Sequence, residues 1–183
     1  VAAVLLSIEL LLSERRPRSL IPVALAAAVG AAAHILLEGA EPVFSMPALP
    51  SPAMVALIAY AAMGALTGLA SVGITRLTYG IEDAFERLPI HWMWWPAIGG
   101  IAVGVVGYFM PSTLGVGYDN ISLVLSGGLG LGAMLALCLM KLLSWSIALG
   151  SGTSGGTLAP LFTIGGAMGG ALGLSIATLM PGL

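Results

Sequence analysis

Residues 142–183 read LLSWSIALGSGTSGGTLAPLFTIGGAMGGALGLSIATLMPGL and contain no charged side chain. About 20 apolar residues carry an α-helix across the hydrocarbon core of a bilayer, and this stretch is twice that length. Its centre, GSGTSGGTLAP at 150–160, places glycine at 150, 152, 155 and 156. Glycine is the poorest ordinary residue for a helix interior, so the stretch divides into a helix, a break and a second helix. The decisive reading is therefore an all-α membrane protein with a broken helix at membrane depth.

The rest of the chain has the same character. Of its 183 residues 58% are hydrophobic and 8% charged, with a mean hydropathy of +1.06. A soluble domain carries about 25% charged residues, which excludes an ordinary cytosolic enzyme. The net charge of −2 and the lack of any basic run exclude nucleic-acid binding by phosphate neutralisation. Residues 42–75 are also free of charge. The single cysteine, Cys138, lies in an apolar run and is expected to pack as a small core residue.

Seven helical segments are predicted: a partial span at 1–13, then 19–37, 53–79, 92–110, a short piece at 119–126, 130–149 and 157–180. The third is too long to stand upright, so tilt or a kink near Gly73 is expected. A polar loop, TYGIEDAFERLPIHW, follows it. Arg15, Arg16 and Arg18 share one loop, while Arg76 and Arg87 flank another two crossings later. Five of the six basic residues thus fall on one side, which the positive-inside bias assigns to the cytoplasm. The intervening Pro-rich linker, with Glu38 and Glu41, faces out. Glycines at four-residue spacing (64 and 68, 100 and 104, 128 and 132, and 165, 169 and 173) are expected to let helix backbones approach. The chain starts at Val1 inside an apolar run and ends just after another, as in a fragment of a larger membrane protein.

Three chemistries compete for 150–160. Gly150, Gly152 and Gly155 match the dinucleotide fingerprint G-x-G-x-x-G, but no strand precedes it and no acid follows Asp119. Gly152, Ser154 and Gly155 match the nucleophile motif of intramembrane serine proteases. That chemistry needs a base beside the serine, and no histidine follows His91; His34 and His91 read as interfacial or helix-terminal residues. The third reading is anion binding. A helix starting near Thr157 has N–H groups without intrahelical partners, and its positive dipole end suits an anion inside lipid. A site without Lys or Arg holds an anion loosely enough to release it.

These residues resemble the CLC family of chloride channels and chloride/proton exchangers. Gly156, Thr157, Leu158, Ala159 and Pro160 fall on the family's G-x-F-x-P pore signature. Gly150, Ser151, Gly152, Ser154 and Gly155 form its supporting loop, and LFTIGGAMGGALG its Gly-rich helix. AAVLLSIELLL resembles the helix that ends in G-x-L-F-x-x-E-E, PSTLGVGYDNI the segment before the signature, and Lys141 falls where a basic residue is common.

The resemblance implies a CLC-type inverted-repeat bundle of tilted and broken helices, of which this chain is a part. Residues 1–37 would hold the last two helices of the first half at a homodimer interface. Residues 38–52 would form an extracytoplasmic linker, and 53–183 the first part of the second half. Backbone N–H groups of Thr157, Leu158 and Ala159 would coordinate chloride or another small monovalent anion, with no metal, cofactor or covalent chemistry. The membrane would be the bacterial inner membrane. Alternatives are an intramembrane protease using Ser154 and a generic secondary transporter.

The sequence departs from the family pattern in three respects. The pore Phe is Leu158. Glu9 is followed by Leu10 at the position of the internal proton-transfer glutamate, which tilts the reading toward passive conduction over proton exchange. The Gly-Ser-Gly-x-Pro and Gly-Lys/Arg-Glu-Gly-Pro motifs are absent from residues 1–183, as is the helix bearing the pore tyrosine.

Overall fold

The computed structural model describes residues 17–41, 44, 52 and 54–179. The expected span at 1–13, with Glu9 and Leu10, and Arg15 and Arg16 lie outside the described residues. Every regular element among the described residues is helical, and five helices are long and apolar enough to cross a membrane. The protein is an all-α polytopic membrane protein. It divides into two compact units, Val1–Ser45 and Met46–Leu183.

The first unit contains α1, Pro17–Glu38. Its proline-led start suits a helix, because the first N–H groups have no intrahelical acceptor. The helix closes where Gly39 takes φ +95° and its N–H reaches Ile35 O at 3.1 Å. His34 sits one turn before this end, and its Nδ1 lies 3.2 Å from Glu38 Oε2.

In the second unit α2 spans Met54–Glu86, 33 residues. At 1.5 Å per residue this is about 50 Å, well beyond a hydrocarbon core of about 30 Å. The helix runs unbroken through Gly73 and continues seven residues past the expected end at 79, from Gly80 to Glu86, into the polar loop. Its inward face explains the extension. Ile74, Thr78, Ile81 and Phe85 are its shielded positions there, at helical spacing, so the buried stripe continues where the composition turns polar. Arg76 consequently lies within the helix and Arg87 just past its end.

A 3₁₀ turn, Trp92–Trp94, leads into α3, Trp95–Phe109, and His91 caps that turn by accepting the Met93 N–H on Nδ1 at 3.3 Å. A second 3₁₀ turn, Pro111–Thr113, precedes the short α4, Tyr118–Leu125. Two long helices follow, α5 at Leu131–Gly150 and α6 at Leu158–Leu179. The five segments predicted from 92–110 onward and at 19–37 match these elements within two or three residues at each end.

Helix α5 is the hub, packed against α2, α3 and α6. The core comprises Val124 of α4, Met134, Leu137 and Cys138 of α5, and Ile164, Ala167 and Ala171 of α6. Cys138 packs there as expected, its thiol directed at Ile164 O at 3.6 Å.

Most glycines of the expected rows have open space beside them, although Gly128 and Gly173 meet Leu123 and Met63 within 4.0 Å, and two of the closest approaches, at Gly99 and Gly170, fall one step away from a row. A Cβ on Gly64, Gly68, Gly100, Gly104, Gly132, Gly165 or Gly169 would meet nothing within 4 Å among the described residues. The tight contacts are at Gly99, Gly107, Gly150 and Gly170, the last placing its missing Cβ 2.9 Å from Met134 Sδ. Adjacent helix positions are 100° apart on the wheel, so Gly99 and Gly170 face the bundle while Gly100 and Gly169 turn aside.

Candidate functional site

The break between α5 and α6 is built by a specific helix ending. Gly152 adopts φ +78°, its N–H bonds Leu149 O at 3.0 Å, and Thr153 N–H bonds Ala148 O at 3.3 Å. This pair of bonds is the Schellman arrangement, which needs a residue in the left-handed region and satisfies the last helical carbonyls. Ser151 is buried, and its hydroxyl donates to Ala148 O at 2.7 Å, which leaves its oxygen to accept from Thr153 Oγ1 at 3.1 Å. Its single proton is therefore committed to holding the loop.

Two helices clamp the start of the break. Gly150 is buried, and its missing Cβ would stand 3.0 Å from the backbone nitrogen of Glu82 on α2. Ser151 fills the space in front of Gly99 on α3. Phe85 and Trp95, with ring centroids 6.3 Å apart, join the same ends of α2 and α3.

Beyond Ser151 the loop is open. Residues 152–158 are all exposed, while Ala159 and Pro160 are half-buried. Thr157 occupies the cap position of α6, because its carbonyl accepts the Leu161 N–H at 3.1 Å. The N–H groups of Leu158 and Ala159 precede the first intrahelical bond, and Pro160 has none to offer. Thus Gly156, Thr157, Leu158, Ala159 and Pro160 come together at an exposed helix start. Thr163, one turn on, is buried and bonds back to Ala159 O at 3.1 Å.

A cavity of about 250 Å³ opens beside this start, lined by Thr78, Tyr79 and Glu82 of α2, Trp145 and Leu149 of α5 and Leu161 of α6. Above it Thr78 Oγ1 and the fully buried Ser146 Oγ lie 3.1 Å apart. No hydrogen bond joins Ser154 to a histidine among the described residues. His91 is engaged at its 3₁₀ turn, and His34 belongs to the other unit.

The family model described as voltage gated chloride channel matches residues 1–183, the whole chain. The chain belongs to the voltage gated chloride channel family. Among curated relatives, chloride channel protein CLC-e of Arabidopsis thaliana is 32% identical over 144 residues, covering 74% of this chain and 20% of the relative. The H(+)/Cl(-) exchange transporter ClcA of Salmonella arizonae is 25% identical over 151 residues, covering 80% and 32%. Chloride channel protein CLC-f of Arabidopsis thaliana is 27% identical over 165 residues, covering 85% and 21%. The chain thus spans between a fifth and a third of the length of these relatives.

One residue of chemical interest was visible in the sequence only through the family pattern. Lys141 is 4% exposed in the middle of α5, and Nζ donates to Thr113 O at 2.8 Å and Gly115 O at 2.9 Å. A lone lysine in an apolar run signals a buried function, but its acceptors are backbone carbonyls 26 and 28 positions away, and spacing does not show them.

Proposed function

We propose that the protein moves chloride across a membrane, with the helix start at 157–159 forming part of the anion site. The observation that carries the reading is the exposed, uncharged start of α6, where N–H groups precede the first intrahelical bond beside a loop held by Gly150 and Ser151. Partial positive charge at a helix start favours an anion, and relatives named as a chloride channel and a chloride exchanger agree with that chemistry. Leu158 is half-exposed, so its backbone can be approached past a flexible aliphatic side chain.

In this reading residues 1–37 end the first inverted half, 38–52 link the halves and 53–183 begin the second. The assembly is a homodimer in a bacterial inner membrane. Leu10 cannot carry a proton, so conduction is passive.

The test uses the full-length protein that contains this segment, purified and titrated with chloride by calorimetry. Leu158→Pro removes one N–H at a position where proline is compatible with a helix start, whereas Leu158→Ala removes the side chain and keeps the N–H. Chloride binding is expected to weaken in the first and persist in the second. Equal binding by the two variants sinks the amide site. In liposomes, Ser154→Ala is expected to keep most of the chloride efflux, and efflux is expected not to drive stoichiometric proton uptake. Loss of flux in Ser154→Ala, together with peptide cleavage by the wild type, supports the protease instead.

A further inference from the structure

Helix α3 has two unlike faces. On one, Gly99 and Gly107 are buried, and neither leaves room for a Cβ, the first beside Ser151 and the second beside Leu114. On the other, Trp94, Ile98, Ile101, Val105 and Tyr108 follow at intervals of four, three, four and three residues, which sets them on one stripe of the helix. All five are exposed among the described residues, Ile101 by 70%. Gly100 and Gly104 lie about 100° round the helix from this stripe. In lipid, hydrophobicity does not drive helices together, so bundles close on small residues and large aliphatic side chains rest as well among acyl chains. The small face of α3 is committed to the bundle, and the large one is turned out.

The ends of the stripe differ from its middle. Ile98, Ile101 and Val105 carry no polar atom, whereas both ends are aromatic. Trp92 and Trp94 are each 65% exposed at one end, and Tyr108 and Phe109 are 82% and 80% exposed at the other. Among the described residues the indole N–H groups of Trp92 and Trp94 and the Tyr108 hydroxyl make no hydrogen bond to protein. An apolar ring with a polar tip suits the boundary between hydrocarbon and headgroups. From Trp92 to Phe109 the backbone rises about 27 Å, close to a hydrocarbon core of about 30 Å. A covering helix would need neither the polar tips nor that spacing.

We propose that this stripe of α3 is a lipid-facing surface of the protein. Acyl chains lie along Ile98, Ile101 and Val105, and the aromatic residues at the two ends seat in the glycerol and headgroup zones of opposite leaflets. The match of lengths keeps α3 nearly upright, and the two aromatic ends fix its depth. Gly99 lies five residues, about 8 Å, from Trp94, so the Ser151 contact holds the start of the 150–160 loop inside the hydrocarbon region, nearer that end. The inference needs only that α3 spans and stands apart from the anion-site reading.

The experiment uses the full-length protein that contains this segment, reconstituted in phosphatidylcholine vesicles after its reactive cysteines are replaced. A nitroxide label is attached in turn at Ile101→Cys, Val105→Cys, Trp92→Cys and Phe109→Cys. Power-saturation paramagnetic resonance reads collisions with oxygen, which enters hydrocarbon, and with a water-soluble nickel complex. Labels at 101 and 105 are expected to meet oxygen freely and nickel hardly at all, with the oxygen-to-nickel ratio falling at 92 and 109. Either mid-stripe label suffices where the other variant does not reconstitute. Labels at 101 and 105 shielded from both reagents would mean that another part of the protein covers the stripe, and the proposal is overturned. High nickel access there overturns it as well, because the stripe then lines an aqueous path. A ratio at 92 and 109 as high as at mid-stripe also overturns it, since the aromatic ends would not mark the boundaries.

Discussion

Ser151 stands where Gly99 would carry a side chain: a Cβ on Gly99 would lie 2.5 Å from Ser151 Cβ, closer than any two such atoms can approach. Helix α3 passes the end of α5 at this point only because residue 99 ends at its α-carbon. The contact fixes the first residue of the loop, and the remaining loop residues hang from it into the open. Packing inside the bundle thereby determines where an uncharged, exposed helix start is presented.

Gly99→Ala is therefore expected to cost about 1–3 kcal/mol, the usual range for overpacking, and to displace Ser151 from Ala148. Thermal unfolding in detergent checks the stability. Gly100→Ala, whose added Cβ meets nothing within 4 Å among the described residues, is the comparison and is expected to cost less.

Gly150→Ala presses on α2, where Glu82 N lies 3.0 Å and Ile81 Cγ2 2.9 Å from the added carbon. Backbone cannot turn aside as a side-chain tip can, so the two helices must separate. Lowered thermal stability together with reduced chloride efflux is the expected pair of results. An unchanged melting temperature would show that the helix crossing is looser than the geometry states.

The Thr78 and Ser146 hydroxyls form a hydrogen bond between α2 and α5. Thr78 Oγ1 donates to Ile74 O at 3.0 Å, so the proton between the hydroxyls comes from Ser146. A double-mutant cycle with Thr78→Val and Ser146→Ala is expected to give a coupling of about 0.6 kcal/mol, the average for such bonds in membranes. A coupling of zero by reversible unfolding would remove this bond from the account of how α2 is held.

Gly152→Val is expected to destabilise the loop by more than Gly152→Asn. Residue 152 has φ +78° with open space around it, so strain arises from the backbone alone. Asparagine tolerates that region and a β-branched residue does not. Unfolding of the two variants, measured side by side, checks the order.

The charge-free run at 142–183 and the glycines at 150, 152, 155 and 156 already indicate two helices with a break between them. Helix boundaries from 92 onward follow from the same local chemistry. The sequence places the end of α2 too early because Glu82, Asp83 and Glu86 look like a loop, although Ile74, Ile81 and Phe85 keep one apolar face turned inward. Two of the glycine rows, 100 and 104 and 165, 169 and 173, miss the closest approach for a related reason. Four-residue spacing identifies a smooth stripe on a helix but not which stripe meets a neighbour, and Gly99 and Gly170 lie one residue from the rows that the spacing favours.

What the sequence by itself determined is the solvent, the helices and the place of the break, because hydropathy and glycine act through neighbours along the chain. The tertiary structure alone decided which groups meet across it. Ser151 reaches Gly99, Gly150 reaches Glu82, and Lys141 takes the carbonyls of Thr113 and Gly115. Each of those contacts joins separate helices or a helix and a loop, and depends on how the elements cross and rotate. That arrangement is set by the combined packing of side chains many positions apart, which no local pattern encodes.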